Sequence, residues 1–107
     1  MILVFGGTTE GRIAIKTLDE GEGRYVYSTR SPLQKVDCAH GKHISGIMTE
    51  PMMIDFCRNN AVKIIVDAAH PFAEHLHKTV SKAADILSIP VIRFERRYPA
   101  INSSSII

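Results

Sequence analysis

The chain opens Met1-Ile2-Leu3-Val4-Phe5 and runs at once into Gly6-Gly7-Thr8-Thr9-Glu10-Gly11-Arg12. A buried apolar strand that passes directly through a glycine-rich turn into a helix leaves few folds open. Backbone N–H groups and the positive end of the helix dipole converge on one spot, and such a spot holds phosphate. The competing reading is a tight strand–helix turn without a ligand.

The rest of the chain repeats the alternation. Apolar strand runs are expected at Ile2–Phe5, Arg24–Thr29, Ile64–Val66 and Val91–Phe94, with a weaker one near His43–Ile47. Helical spacing fills the gaps. One helix runs from Gly11 to Glu20, with Ala14, Thr17 and Leu18 on one face and Gly21 as its stop. A second opens at Thr49-Glu50-Pro51, with Thr49 as N-cap, and ends at Asn59-Asn60. A third spans Pro71 to Leu87, where Ala73, Leu76, Val80, Ala83, Ala84 and Leu87 recur at helical spacing. Arg30–Lys42 is polar and reads as an irregular crossover loop, with one short helical turn as the alternative. This order implies an α/β fold: an open parallel sheet of about five strands with helices on both faces.

A chain of 107 residues fits one domain, and 45% hydrophobic with 22% charged residues is ordinary for a soluble globular protein. A formal charge of +2 without a basic run argues against a nucleic-acid partner, since Arg96-Arg97 is only a pair. No apolar stretch approaches the roughly 20 residues of a membrane helix, and the first strand lacks the flanks of a signal peptide. Cys38 and Cys57 without a secretion signal read as free thiols in a reducing cytoplasm.

The glycine turn nearly fits a P-loop, but Arg12 and Ile13 stand where Lys and Ser/Thr belong, which argues against a phosphotransferase. It fits a loose dinucleotide-binding turn better. Gly6 or Gly7 supplies positive φ and close backbone approach, Thr8 and Thr9 offer hydroxyls and N–H groups, and Gly11 lets the helix approach the sheet. Dinucleotide folds place a carboxylate on the ribose about 20 residues on. Here the second strand ends in Thr29-Arg30-Ser31 with no acid. Arg30 would attract a 2′-phosphate, and Ser28, Thr29 or Ser31 would hydrogen-bond it, so NADP is favoured over NAD. A solvent-facing loop arginine is the plain alternative.

Asp67-Ala68-Ala69-His70-Pro71-Phe72-Ala73 follows another strand and so falls on the same rim. His70 suits contact with a substrate carboxylate or proton donation. Alternatively Asp67 caps the next helix and His70 fills the rim. Pro71 suits a first helical turn. The Cys38-Ala39-His40-Gly41-Lys42-His43 run matches no common zinc spacing, so no metal is expected. His75 and His77 lie two apart on a helix and read as solvated. Met48, Met52 and Met53 read as core or rim packing.

Three segments together carry a family resemblance. Ile2–Arg12, Val66–Ala73 and Ile89–Arg96 resemble, in order and spacing, the N-terminal part of the precorrin-6A and cobalt-precorrin-6A reductases, although Ala69 stands where the family usually has threonine. The resemblance implies a Rossmann-like domain and NADPH-dependent hydride transfer to a corrin precursor in cobalamin biosynthesis. It implies that Gly6, Gly7, Thr8, Thr9, Glu10, Gly11 and Arg12, with Thr29 and Arg30, handle the nucleotide. It places Ala68, Pro71 and Phe72 beside the cofactor, with His70 and Asp67 at the chemistry. Arg12, His70, Arg93, Arg96 and Arg97 become candidate contacts for the substrate's carboxylates. Family members are about twice this length, with a second α/β domain. The expected division is therefore an NADPH-binding domain at 1–97 and a linker, or the start of that missing domain, at 98–107. The alternative is a non-catalytic NADP(H)-binding or sensing domain.

Overall fold

A computed structural model describes residues 1–32 and 36–95. The elements are β1 (Ile2–Phe5), α1 (Thr9–Glu20), β2 (Tyr25–Thr29), β3 (Gly41–Ser45), α2 (Glu50–Asn59), β4 (Ile64–Asp67), α3 (Glu74–Leu87) and β5 (Val91–Arg93). The strands form one five-stranded sheet in the order β3-β2-β1-β4-β5, and every pairing is parallel. This is the open, doubly wound, Rossmann-like arrangement that the alternating pattern predicts. Residues 98–107, expected as a linker, lie outside the described residues, as do Arg96 and Arg97.

The period of two along β1 sorts the core into two layers. Leu3 and Phe5 pack with Met53, Cys57, Val80, Ala83 and Ala84, the buried faces of α2 and α3. Val4 packs on the other side with Ile15 of α1 and with Tyr25 and Tyr27. On that second side Val36 and Cys38, on the way from β2 to β3, cover the sheet. Asp19 at the end of α1 anchors this segment. Its carboxylate accepts from the Tyr25 hydroxyl at 2.8 Å and from His40 N–H at 2.9 Å. Burial first, then the neighbouring Asp19, raises the Tyr25 phenol well above its ordinary value.

Both expected helix stops hold. The Gly21 N–H reaches the Thr17 carbonyl, and Asn60 closes α2. Thr49 caps α2 by accepting from Met52 N–H. Three expectations shift. Thr17 is exposed, so the inner face of α1 is Gly11, Ala14, Ile15 and Leu18. The third strand lies at Gly41–Ser45 rather than 43–47, because pairing with β2 sets Tyr25 opposite Gly41 and only glycine fits beneath the Tyr25 ring. α3 begins at Glu74 rather than Pro71, because a turn closed by Ala73 N–H on the His70 carbonyl occupies 70–73.

Register brings the strand ends level. Phe5 pairs with Ser28 on one side and with Asp67 on the other. Each ladder then continues one bond further: Gly6 N–H to Ser28 O, Ala68 N–H to Phe5 O, and Gly46 N–H to Thr29 O. The glycine turn, the Arg30 turn and the His70 loop therefore leave the sheet at a single carboxyl edge.

Candidate functional site

Along that edge lies a cleft of about 520 Å³. Its floor is Phe5 and the Gly6-Gly7-Thr8 turn. One wall is Ser28–Ser31, the other Ala69, His70 and Phe72, and it is completed by Gly46–Met48 and the start of α3.

The glycine turn is shaped chiefly by the protein itself. Gly7 has φ 94°, a value that favours glycine. Gly6 and Gly11 lie so close to the Tyr27 ring that a Cβ at either would collide with it. The Tyr27 hydroxyl accepts the Gly7 N–H at 2.8 Å. Burial raises this phenol's pKa, while the Gly7 N–H acts in the opposite sense. Thr8 is the N-cap of α1, accepting from Gly11 N–H at 3.0 Å and donating to the Ala68 carbonyl at 2.6 Å. The Thr8 hydroxyl thus ties the turn to the β4 rim, where the sequence offered it to a ligand. Thr9, Glu10 and Arg12 lie on the first turn of α1 and are not part of the cleft lining.

On the β2 wall Arg30 is exposed and lines the cleft. Thr29 lines it too, yet is only 2% exposed, and its hydroxyl donates to the Ser31 carbonyl at 2.9 Å. That proton is engaged within the turn, so Arg30 is the exposed side chain this wall presents, with Ser28 and Ser31 beside it in the lining.

The β4 wall rests on a pair the sequence did not reveal. Asp67 is buried, and one carboxylate oxygen accepts the Ala69 N–H at 3.2 Å. The other lies 2.5 Å from Nδ1 of His77, whose Nε2 donates to the His70 carbonyl at 2.9 Å. Of the two helix histidines, His77 is therefore buried rather than solvated, and His75 is exposed. Asp67 neither caps α3, which has Ala73 as N-cap without a side-chain bond, nor lines the cleft. It holds the loop from behind. His77 was legible in principle, since it falls one turn from Ala73 and Val80 on the apolar face of α3.

His70 itself is exposed on the cleft wall. Its Nδ1 accepts the Phe72 N–H at 3.1 Å, and the two rings meet at a tilt of 56° with centroids 5.0 Å apart. An accepting Nδ1 leaves the proton of the neutral ring on Nε2. Ala68 and Ala69 are buried, while Pro71 is half-buried and away from the cleft. Among the candidate carboxylate contacts, Arg93 pairs with Glu95 at 3.0 Å outside the cleft. Gly46, Ile47 and Met48 were missed because only the strand order brings the end of β3 beside Arg30.

The lining fits a phosphorylated nucleotide: the N-terminal end of α1 and an exposed guanidinium, with Glu74 as the one carboxylate in the lining, across the cleft on α3. Among the described residues no group of three His, Cys, Asp or Glu side chains is placed to hold a metal. None of their helices is long and apolar enough to cross a membrane.

The family described as "Precorrin-6x reductase CbiJ/CobK" matches residues 1–106. Cobalt-precorrin-6A reductase of Priestia megaterium is 37% identical over 90% of this chain and 38% of its own length. The Synechocystis protein of the same name is 30% identical over 98% of this chain and 41% of its own. The chain thus spans about two fifths of these relatives. The solved structure of CobK precorrin-6A reductase superposes with a TM-score of 0.81 at 26% identity, over 90% of this chain and 39% of that one. A UDP-D-quinovosamine 4-dehydrogenase from Vibrio fischeri shares the fold alone, with a TM-score of 0.61 at 9% identity over 97% of this chain and 84% of that one. By the match along nearly its whole length, the chain belongs to the CbiJ/CobK precorrin-6x reductase family.

Proposed function

We propose that this chain is the nucleotide-binding part of an NADPH-dependent reductase that reduces a ring double bond of a precorrin-6A-type macrocycle in cobalamin biosynthesis. The observation that carries the reading is the convergence on one cleft of the Gly6-Gly7 turn, Arg30 and His70. When bound, the nicotinamide supplies the hydride. The residues of this chain bind and orient. The α1 N-terminus and the glycine turn face the diphosphate, and Arg30 with Ser28 or Ser31 takes the 2′-phosphate.

His70 presents Nε2–H to the cleft and orients an acceptor on the substrate, a carboxylate above all. Its Nδ1 is committed to the Phe72 N–H. Making His70 the proton source would put a proton on Nδ1 and break that bond. Asp67 acts through His77 and the loop as a positioning residue. The second wall of the active site comes from the part of the relatives this chain does not span. A cytoplasmic setting belongs to the same reading, with Cys38 and Cys57 as free thiols.

Titrating NADPH against NADH, on this chain and on the longer protein, tests the assignment. Tighter binding of NADPH, lost in Arg30→Ala, is the expected result; preference for NADH sinks it. In the longer protein, His70→Ala lowers turnover at least tenfold with NADPH binding retained, if His70 orients substrate. Unchanged turnover would remove His70 from the active site, and NADPH binding without any turnover in the longer protein would favour a nucleotide-sensing domain instead. Full reductase activity from the 107-residue form would overturn the need for a second wall.

A further inference from the structure

His43 sits in the middle of β3, half-buried, directly opposite Tyr27 of β2. Its ring lies 5.9 Å from that of Tyr27, centroid to centroid. Its Nε2 is 2.7 Å from the Thr29 hydroxyl oxygen. Thr29 has one hydroxyl proton, and it goes to the Ser31 carbonyl. The proton between Thr29 and His43 must then come from the imidazole, so Nε2 is protonated and donates.

The direction of this chain has a consequence. A donor at Nε2 holds the Thr29 oxygen as acceptor and points its proton at Ser31, which closes the turn across Arg30. On the other side Gly46 N–H fixes the Thr29 carbonyl. An acceptor in place of Nε2–H would pull the hydroxyl away from Ser31 and open the turn. The same imidazole faces Tyr27, whose hydroxyl holds the Gly7 N–H. One side chain therefore touches both residues that shape the nucleotide wall, although it does not line the cleft.

We propose that His43 is a positioning residue that sets nucleotide specificity, holding the Arg30 turn in the form that receives a 2′-phosphate. The proposal rests on the NADPH reading. It does not follow from it, because Arg30 on an untethered turn would bind the phosphate weakly.

The test uses this chain with isotope-labelled backbone amides, titrated with NADPH and NADH, in wild type, His43→Phe, His43→Gln, Arg30→Ala and the H43F/R30A double variant. Loss of one neutral hydrogen bond predicts about a fivefold loss of NADPH affinity in H43F, with NADH affinity unchanged. Gln carries a donor at the position of Nε2, so H43Q recovers most of that loss. H43F adds nothing in the R30A background, because both act through one contact. Before any nucleotide is added, the Arg30 and Ser31 amide signals shift in H43F and return in H43Q.

Equal loss for both nucleotides overturns the proposal, as does failure of H43Q to recover. Unmoved Arg30 and Ser31 amides in H43F overturn the positioning role whatever the nucleotide does. If those amides move but neither H43F nor R30A alters the NADPH to NADH ratio, the specificity claim falls and the fault lies in the NADPH reading. Absence of binding by either nucleotide overturns both.

Discussion

The two walls of the cleft are held by the same device acting on acceptors of different charge. On the β4 side His77 bridges a carboxylate and a loop carbonyl, with His77 8% and Asp67 2% exposed. On the β2 side His43 donates to a neutral hydroxyl at the sheet edge. Both acceptors are buried, at 2% exposure each, but a carboxylate out of water depends more heavily on its donors than a neutral hydroxyl does. The β4 wall should therefore behave as part of the core, and the β2 wall as an adjustable loop on a fixed strand.

Removing His77 is the strongest way to break the comparison. In His77→Ala, Asp67 keeps only the Ala69 N–H, and the His70 carbonyl loses one of its two donors. Breaking one partner of a buried pair costs about 3 kcal/mol or more. Urea denaturation should show that loss, against about 1 kcal/mol for Thr29→Val on the opposite wall. Equal losses would mean that the charge of the acceptor does not decide how firmly either wall is held, and the contrast would collapse.

The glycine turn joins the walls, through Thr8 to Ala68 on one side and through Tyr27 to Gly7 on the other. Gly6→Ala places a Cβ inside the space of the Tyr27 ring. Overpacking of this kind costs about 2 kcal/mol. Displacing Tyr27 also releases the Gly7 N–H, so nucleotide affinity should fall together with stability. In Gly6→Ala/Tyr27→Ala the ring is absent, so the clash is relieved and the added cost of the Gly6 change falls below 1 kcal/mol. A Gly6→Ala variant as stable as wild type would show that the ring does not fix the turn.

These contacts mark where sequence reasoning reaches and where it stops. The run from Ile2 to Gly11 announces its own strand, turn and helix, because apolar spacing and glycine placement are local. The carboxyl-edge rim follows from parallel strands, so Arg30 and His70 were placed correctly on it. Tyr27 was unreadable as the reason for Gly6 and Gly11, because the contact spans β1, α1 and β2 and depends on register. Asp67 and His77 lie on different elements, and a histidine two residues from exposed His75 reads as surface unless the apolar face of α3 is followed turn by turn. The expected helix start at Pro71 failed because Pro71 tolerates a tight turn as readily as a first helical turn, and the bonds onto His70 decide between them.

The least disruptive probe lies at the opposite edge of the sheet, where Asp19 anchors the segment that leads into β3. Partial loss of water raises the pKa of its carboxyl. The His40 N–H, the Tyr25 hydroxyl and the Ala39 N–H outweigh that and hold it below the ordinary 3.8. A carboxyl whose folded pKa is depressed adds stability above its unfolded pKa and loses it as pH falls through the folded one. The stability gap between wild type and Asp19→Asn should therefore be constant near neutral pH and narrow below about pH 4. Denaturation midpoints measured between about pH 7 and pH 3 decide this. Because the anchored segment feeds β3, the same substitution should perturb His43 and Thr29 amide signals while leaving those of Asp67 and His77 in place. A disturbance that reached the β4 wall equally would mean the two walls move as one body, and the contrast between a fixed and an adjustable side would have to be abandoned.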